Sequence, residues 1–208
     1  MAESKSVKRK FDDVAKAESK PSGTKKFAGH WSQGLLASMN DPDLIVEKDD
    51  KLTVIKDKYP KAKHHFLVMP KETIPNLKSL KQEHLDLLKH MEKIARDVAQ
   101  RTDKKIKFRF GYHAVPSMSH LHLHAISQDF DSPSLKTKKH WNSFTSPYFV
   151  DSSEVIKRLE KEHKVDFNQK ENTEYLSLDL KCHVCGRPMK NMPSLKSHIR
   201  THSYTCDS

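Results

Sequence analysis

No stretch of the 208-residue chain comes near the roughly 20 consecutive apolar residues that a bilayer crossing needs, so a membrane protein is not expected. The charged N-terminus has no apolar stretch behind it, which argues against a secretory signal. Only three cysteines are present, too few for a disulfide framework, and two of them stand at metal-ligand spacing. A reducing, intracellular compartment is the expectation. Acidic residues are also short: 27 Asp and Glu face 38 Lys and Arg, for a formal charge of +11. That balance suits a polyanionic partner, with a solvated basic surface as the plainer alternative. Hydrophobic residues make up 35% and charged residues 31%, which suggests one real core beside weakly packed segments.

Residues 1–26 hold little that could form a core and are expected to be a disordered basic tail, with Lys8, Arg9 and Lys10 as a candidate nuclear import signal. A main domain spans 27–165. Within it "LTVIKD" (52–57), "HHFLVMP" (64–70) and "KIKFRFGY" (105–112) read as strands, and Ile106, Phe108, Phe110 and Tyr112 share one face of the last. Residues 80–100 read as a helix, because Leu87, Leu88, Met91, Ile94, Ala95 and Val98 recur at three- and four-residue steps. Residues 117–128 read as the last strand. The segment 151–163 reads as a shorter helix capped by Asp151 and Glu154. This order predicts an α+β domain: an antiparallel sheet with flanking helices, followed by a linker and small module over 166–208.

The run "SMSHLHLHAISQDF" (117–130) sets His120, His122 and His124 at every second position. On a strand they line one face, about 7 Å apart, while Leu121, Leu123 and Ala125 enter the core. Such a row could be a metal site, a solvated surface, or an acid–base and nucleophile array. No Asp, Glu or Cys lies within the strand to complete a metal shell, which disfavours the first. Imidazole near neutral pH is a largely unprotonated nucleophile. A central ring could attack phosphorus while its neighbours steady the charge on the non-bridging oxygens.

"HLHLHAI" resembles the alternating signature of the histidine-triad hydrolases and transferases. "GHWSQGLLASMNDP", "VIKDKYPKAKHHFLVMP", "GYHAVPSMSHLHLHAISQDFDSP" and "KKHWNSF" are similar to the branch of that family that removes adenylate from DNA ends, over residues 28 to about 205. The resemblance implies His122 as the nucleophile of an adenylyl-histidine intermediate. His120 and His124 would flank it, and His65 would complete the cluster. It implies Asp57 as the ribose-binding acid. His113, Ser117, Met118 and Lys139 would grip the phosphate on the DNA side, with Lys58, Lys61 and Lys63 also at the substrate. Trp31 would press on the terminal base pair, where stacking contributes about 1–3 kcal/mol. A core tryptophan and solvated lysines are the bland alternatives. Animal members carry a forkhead-associated domain ahead of this region. Here only the basic tail is found, so docking through that domain is not expected.

"LKCHVCGRPMKNMPSLKSHIRTH" places Cys182 and Cys185 two residues apart, then His198 after twelve residues and His202 after three more. This is two-Cys, two-His zinc-finger spacing, and structural zinc should be needed for the module to fold. Leu180, Met189 and Leu195 supply the apolar frame. The base-reading helix positions would be Asn191, Ser194 and Ser197, none a strong guanine reader, so DNA-backbone binding through Lys190, Lys196 and Arg200 is expected. Cys206 lies outside the pattern as a free thiol.

The expected function is a DNA-repair hydrolase of the nucleus. It would act as a monomer on nicked or adenylated duplex ends, release AMP without a catalytic divalent metal, and meet other repair proteins but no membrane. One alternative is a histidine-triad hydrolase of small nucleotides or nucleoside phosphoramidates. A non-catalytic DNA-binding or regulatory protein is the other.

Overall fold

The computed structural model describes residues 29–206, with side chains from Gly34 onward. The expected basic tail, its Lys8–Lys10 cluster and the side chain of Trp31 lie outside the described residues.

Six strands form one antiparallel sheet: β1 (Ile45–Lys48), β2 (Leu52–Lys56), β3 (His65–Pro70), β4 (Phe108–His113), β5 (Leu123–Ser127) and β6 (Phe149–Asp151), in the spatial order β1-β2-β3-β5-β4-β6. The predicted α+β class holds. Alternation decides what each face carries. Leu52 and Val54 of β2, Phe66 and Val68 of β3, and Leu123 and Ala125 of β5 join one core with α2 (Leu85–Thr102) and α4 (Ser152–Glu162). On α2 that face is Leu87, Leu88, Met91, Ala95 and Val98, the three- and four-step pattern read from sequence. The helix starts later than expected, because Gln82–His84 form a separate 3-10 turn before it.

The opposite face is covered in two patches. Ile55, Leu67 and Met69 pack with Leu35 and Met39 from and just after α1 (Gly29–Ser38). Ile126 packs with Phe130, Leu135, and Trp141 and Phe144 of α3 (Lys138–Thr145), and with Phe149 of β6. Leu180, Cys182, Leu195 and Ile199 of the C-terminal module belong to that same cluster. The module is therefore docked on the sheet domain. Trp141 Nε1 donates to the Lys181 carbonyl (3.0 Å), and Asn142 Nδ2 donates to the carbonyls of Leu176 (3.2 Å) and Leu178 (2.7 Å), just beyond α5 (Gln169–Tyr175). Ile106, half-buried, pairs in an isolated bridge with Thr205.

Three local expectations need correction. Residues 117–128 are not the last strand, since β6 follows, and only Leu123–Ser127 of them is regular strand. Asp151 does occupy the N-cap of α4, but its carboxylate makes no capping bond; it accepts from Arg109 Nη2 at 2.8 Å instead, and Glu154 pairs with Arg158. On the finger helix α6 (Met192–Ile199), Lys196 is turned toward the sheet domain, where its Nζ donates to the Ser132 carbonyl (2.7 Å). Arg200, just past the helix, pairs with Asp131 (2.9 Å) at the surface and stays exposed.

Candidate active site and zinc finger

The histidine row begins with a left-handed residue. His120 has φ of 81°, a conformation that costs a non-glycine residue about 1–3 kcal/mol and persists only where its surroundings impose it. Here three bonds do so. The His120 amide donates to the Pro75 carbonyl (3.0 Å), the Leu121 amide to Ile74 (2.7 Å), and His120 Nε2 to the Pro70 carbonyl (2.8 Å). His120–His122 thus precede the strand rather than extend it, and the even spacing expected of three strand residues is lost. The rings of His122 and His124 stand 4.8 Å apart, edge to face.

The kink has a chemical consequence. His122 Nδ1 lies 2.8 Å from the His120 carbonyl oxygen, which can only accept. The proton of neutral His122 is therefore on Nδ1, and Nε2 carries the lone pair. Burial lowers the pKa of His122; the His120 carbonyl and the Asp57 charge oppose it.

The other rings gather from neighbouring strands. Gly111 pairs with His124 across β4 and β5, which brings His113 of β4 within 4.5 Å of the His124 ring. On β3, His65 Nε2 meets His124 Nδ1 at 2.9 Å. Two neighbours compete for His65 Nδ1: the Lys61 amide, which can only donate, at 3.2 Å, and Asp57 Oδ2, which accepts, at 3.3 Å. With Lys61 donating, His65 keeps its proton on Nε2 and passes it toward His124 Nδ1. His124 then carries its own proton on Nε2, a buried atom with no protein partner. Desolvation holds His65 down at about 4 and pushes His113 and His124 well below the ordinary histidine range. At neutral pH the cluster is uncharged.

The remaining expected site residues sort by position. Asp57 is half-buried; its Oδ1 accepts from the Tyr59 amide (2.7 Å). Lys61 is half-buried beside it and loses proton affinity through desolvation, partly offset by Asp57. Lys58, Lys63, Ser117 and Lys139 are exposed. Met118 is half-buried and packs against the α1 patch. Phe144 was missed. It lies 5.3, 4.8 and 5.2 Å from the rings of His65, His113 and His124, so it forms the apolar wall behind them. Its string "KKHWNSF" marked the resemblance, but no periodicity points Phe144 at the histidines.

In the finger, Cys182 Sγ lies 3.3 Å from His202 Nε2, Cys185 Sγ 3.2 Å from His198 Nε2, and the two Nε2 atoms 3.2 Å apart. Four donors at about 2.0–2.3 Å from one centre are separated by distances of this order, so the set fits a tetrahedral zinc ion. Asn191 caps α6 through Ser194 N (2.9 Å), with Pro193 in its first turn, and the helix presents both histidines to the ion. His183, between the cysteines, turns away from the ion. Its Nε2 donates to the Gln128 carbonyl (2.9 Å) and its ring stacks on Tyr204.

Comparison with known proteins agrees with this geometry. The family model for the C-terminal binding domain of scavenger mRNA decapping enzymes matches residues 30–140, and that for C2HE/C2H2/C2HC zinc-binding fingers matches 145–204. An aprataxin-like protein of Saccharomyces cerevisiae is 31% identical over 199 residues, covering 78% of this chain and 88% of its own. The chain belongs to the aprataxin family. Aprataxin of Danio rerio is 56% identical over 177 residues, 84% of this chain and 54% of the relative. The chain spans about half the length of the Danio rerio, Gallus gallus and Ciona intestinalis aprataxins. The aprataxin ortholog Hnt3 in complex with DNA superposes with a TM-score of 0.62 at 27% identity, covering 81% of this chain and 92% of that one.

Proposed function

We propose that this aprataxin-family chain hydrolyses the pyrophosphate bond that joins AMP to a DNA 5′-phosphate, at a nick or an adenylated end. The observation that carries the reading is the fixed tautomer of His122, with its lone pair on Nε2 and its proton held by the His120 carbonyl. In the first step Nε2 attacks the adenylate phosphorus, and the DNA 5′-phosphate departs with the bonding pair. The positive charge left on the ring is shared with the His120 carbonyl through Nδ1–H. His124 Nε2–H donates to a non-bridging oxygen, which answers its lack of a protein partner. In the second step water attacks the same phosphorus. AMP leaves, the pair returns to Nε2, and one proton is given up.

Asp57 would accept from the ribose hydroxyls, and Lys61 would offset phosphate charge, with exposed Lys58, Lys63, Lys139 and Ser117 along the DNA path. Trp31 would stack on the terminal base pair. No step calls for a divalent ion, because imidazoles and lysine supply the donors. The zinc is structural. The relative crystallised with DNA supports a duplex partner. A nuclear monomer acting alongside other repair proteins completes the reading.

The test uses a nicked duplex bearing a 5′-adenylate. His122→Ala should release no AMP while still binding the nick, and acid-sparing mass spectrometry should find AMP bonded to His122 in the native protein. Normal turnover by the variant refutes the mechanism. Faster cleavage of an AMP-lysine analogue than of adenylated DNA would favour a small-nucleotide hydrolase instead.

A further inference from the structure

Three of the site's imidazoles share one neighbour. The Phe144 ring stands 5.3 Å from His65, 4.8 Å from His113 and 5.2 Å from His124, edge to face with the first and the last. It is 4% exposed. Asp57 and Lys61 keep partial exposure beside the same cluster, so solvent meets it on their side while Phe144 closes another. We propose that Phe144 is a positioning residue of this centre: its ring seals the back of the histidine cluster against water and fixes the planes of three imidazoles that the reaction uses. The effect on rate rests on the deadenylase reading, whereas the exclusion of water does not.

Helix, strand and a second aromatic ring brace Phe144. It lies in the last turn of α3, where carbonyls lack intrahelical donors, and Arg109 Nη1 of β4 donates to its carbonyl at 3.2 Å. The same guanidinium pairs with Asp151 and lies 4.9 Å over the Phe149 ring, which in turn packs 5.6 Å from Phe144. Earlier in the helix, Trp141 and Asn142 anchor α3 on the carbonyls of Leu176, Leu178 and Lys181.

The tautomers depend on that seal. His65 Nε2 passes its proton toward His124 Nδ1 at 2.9 Å, and the Nε2 atoms of His113 and His124 are buried without protein partners. A water admitted behind them would compete for those atoms and favour charged rings, because burial is the largest influence holding His65, His113 and His124 below the ordinary range. The groups that face the cluster divide. Asp57, ahead of β3, favours a charged His65 and His122, and the Ser143 backbone favours a charged His113. Lys61 and the neighbouring rings oppose protonation. Tyr148, 5.3 Å from His113, and Arg109 complete the surroundings. All of these stay when Phe144 is removed, so its loss changes solvation while the charges remain, and the rings take up protons at higher pH. A charged His124 ring, 4.8 Å from that of His122, then weakens the nucleophile.

The experiment uses the whole chain with zinc in its finger. Imidazole signals of His65, His113 and His124 are followed by NMR against pH without substrate, and all three should stay largely neutral down to about pH 5. In Phe144→Ala at least one of these rings should titrate about one pH unit or more above its native value, toward that of a solvated imidazole. On the nicked, 5′-adenylated duplex this variant should lose about tenfold or more in kcat with KM unchanged, and the acid limb of its pH–rate profile should move up with the rings. Phe144→Leu keeps an apolar wall, so its acid limb should match the native one. Phe167→Ala removes a half-buried ring that lies under Arg158, outside the cluster, and should leave rate and limb alone. A native ring that titrates near the ordinary value of about 6.5 overturns the seal, and so does a Phe144→Ala limb that stays in place. If Phe144→Ala does not fold, the native titration and Phe144→Leu still decide, since a displaced limb in the leucine variant also contradicts an apolar seal. A purely structural residue would lower Tm and move neither the titrations nor the limb. A native chain that never releases AMP would sink the deadenylase reading and leave the ring titrations standing.

Discussion

Gly111→Ala is the sharpest single test of how the site is assembled. Gly111 lies on β4 opposite His124 on one side and Asp151 of β6 on the other. A Cβ built there would stand 2.3 Å from the Val150 carbonyl oxygen and 2.7 Å from Cε1 of Phe149. One obstacle is backbone and the other a buried ring, so neither can yield by a rotamer change alone. Overpacking a core costs about 1–3 kcal/mol, and an obstructing carbonyl on a paired strand puts this case at about 3. For a domain of this size that is a fall in Tm of about 6–12 °C. The displacement also reaches the site, because Phe149 lies 6.1 Å from the rings of both His113 and His124 and is the residue that must move. Thermal unfolding and AMP release should therefore fall together. A Tm within about 1 °C of the native value would show that β4 and β6 are not as close as described and would refute the argument.

Three further outcomes follow from the same contacts. Asn142→Ala leaves the carbonyls of Leu176 and Leu178 without their donor, at about 1–3 kcal/mol, readable as a lower urea midpoint. Removing zinc with a chelator should lower the melting temperature of the sheet domain as well as the finger, since Leu180, Leu195 and Ile199 share a cluster with Trp141 and Phe144; a sheet-domain transition indifferent to chelation would contradict the shared core. His65 and His183 are both held at about 4 by burial, below the roughly 6.5 of an unfolded chain, so the unfolded state binds more protons between those values. Stability should be full above pH 6.5 and decline as pH falls toward 4, each group adding a slope of up to about 1.4 kcal/mol per pH unit, measurable by denaturant titration.

The parts legible in the sequence are those with a local signature. Period-two runs marked β2, β3 and β4, the three- and four-step pattern marked α2, and ligand spacing marked the finger. β1 and β6 escaped for lack of length: "IVEK" is only half-buried, and "FVD" is three residues closed by pairing with β4. The left-handed turn at His120 carries no glycine or asparagine to announce it, because tertiary bonds to Pro70 and Pro75 impose it. Phe144 and the Asp57–His65 contact depend on strand order, which no window of sequence contains.

The finger illustrates why spacing alone misassigned part of its surface. A two-Cys, two-His motif predicts a helix free to enter a groove, and the basic residues on it then read as phosphate contacts. Here Leu195 and Ile199 are buried in one cluster with Phe130, Leu135 and Trp141 of the sheet domain. Burying that face sets Lys196 beside the sheet domain, where it finds the Ser132 carbonyl, while Arg200 pairs with Asp131 at the exposed rim. Under the proposed function, DNA contact by the finger would fall to exposed residues such as Lys190 and Arg200 rather than to Lys196. His183 and Trp141 fix the module against the layer that holds Phe144, so under the proposed function a duplex gripped by the finger would meet the histidine cluster at one set angle rather than through a swinging linker.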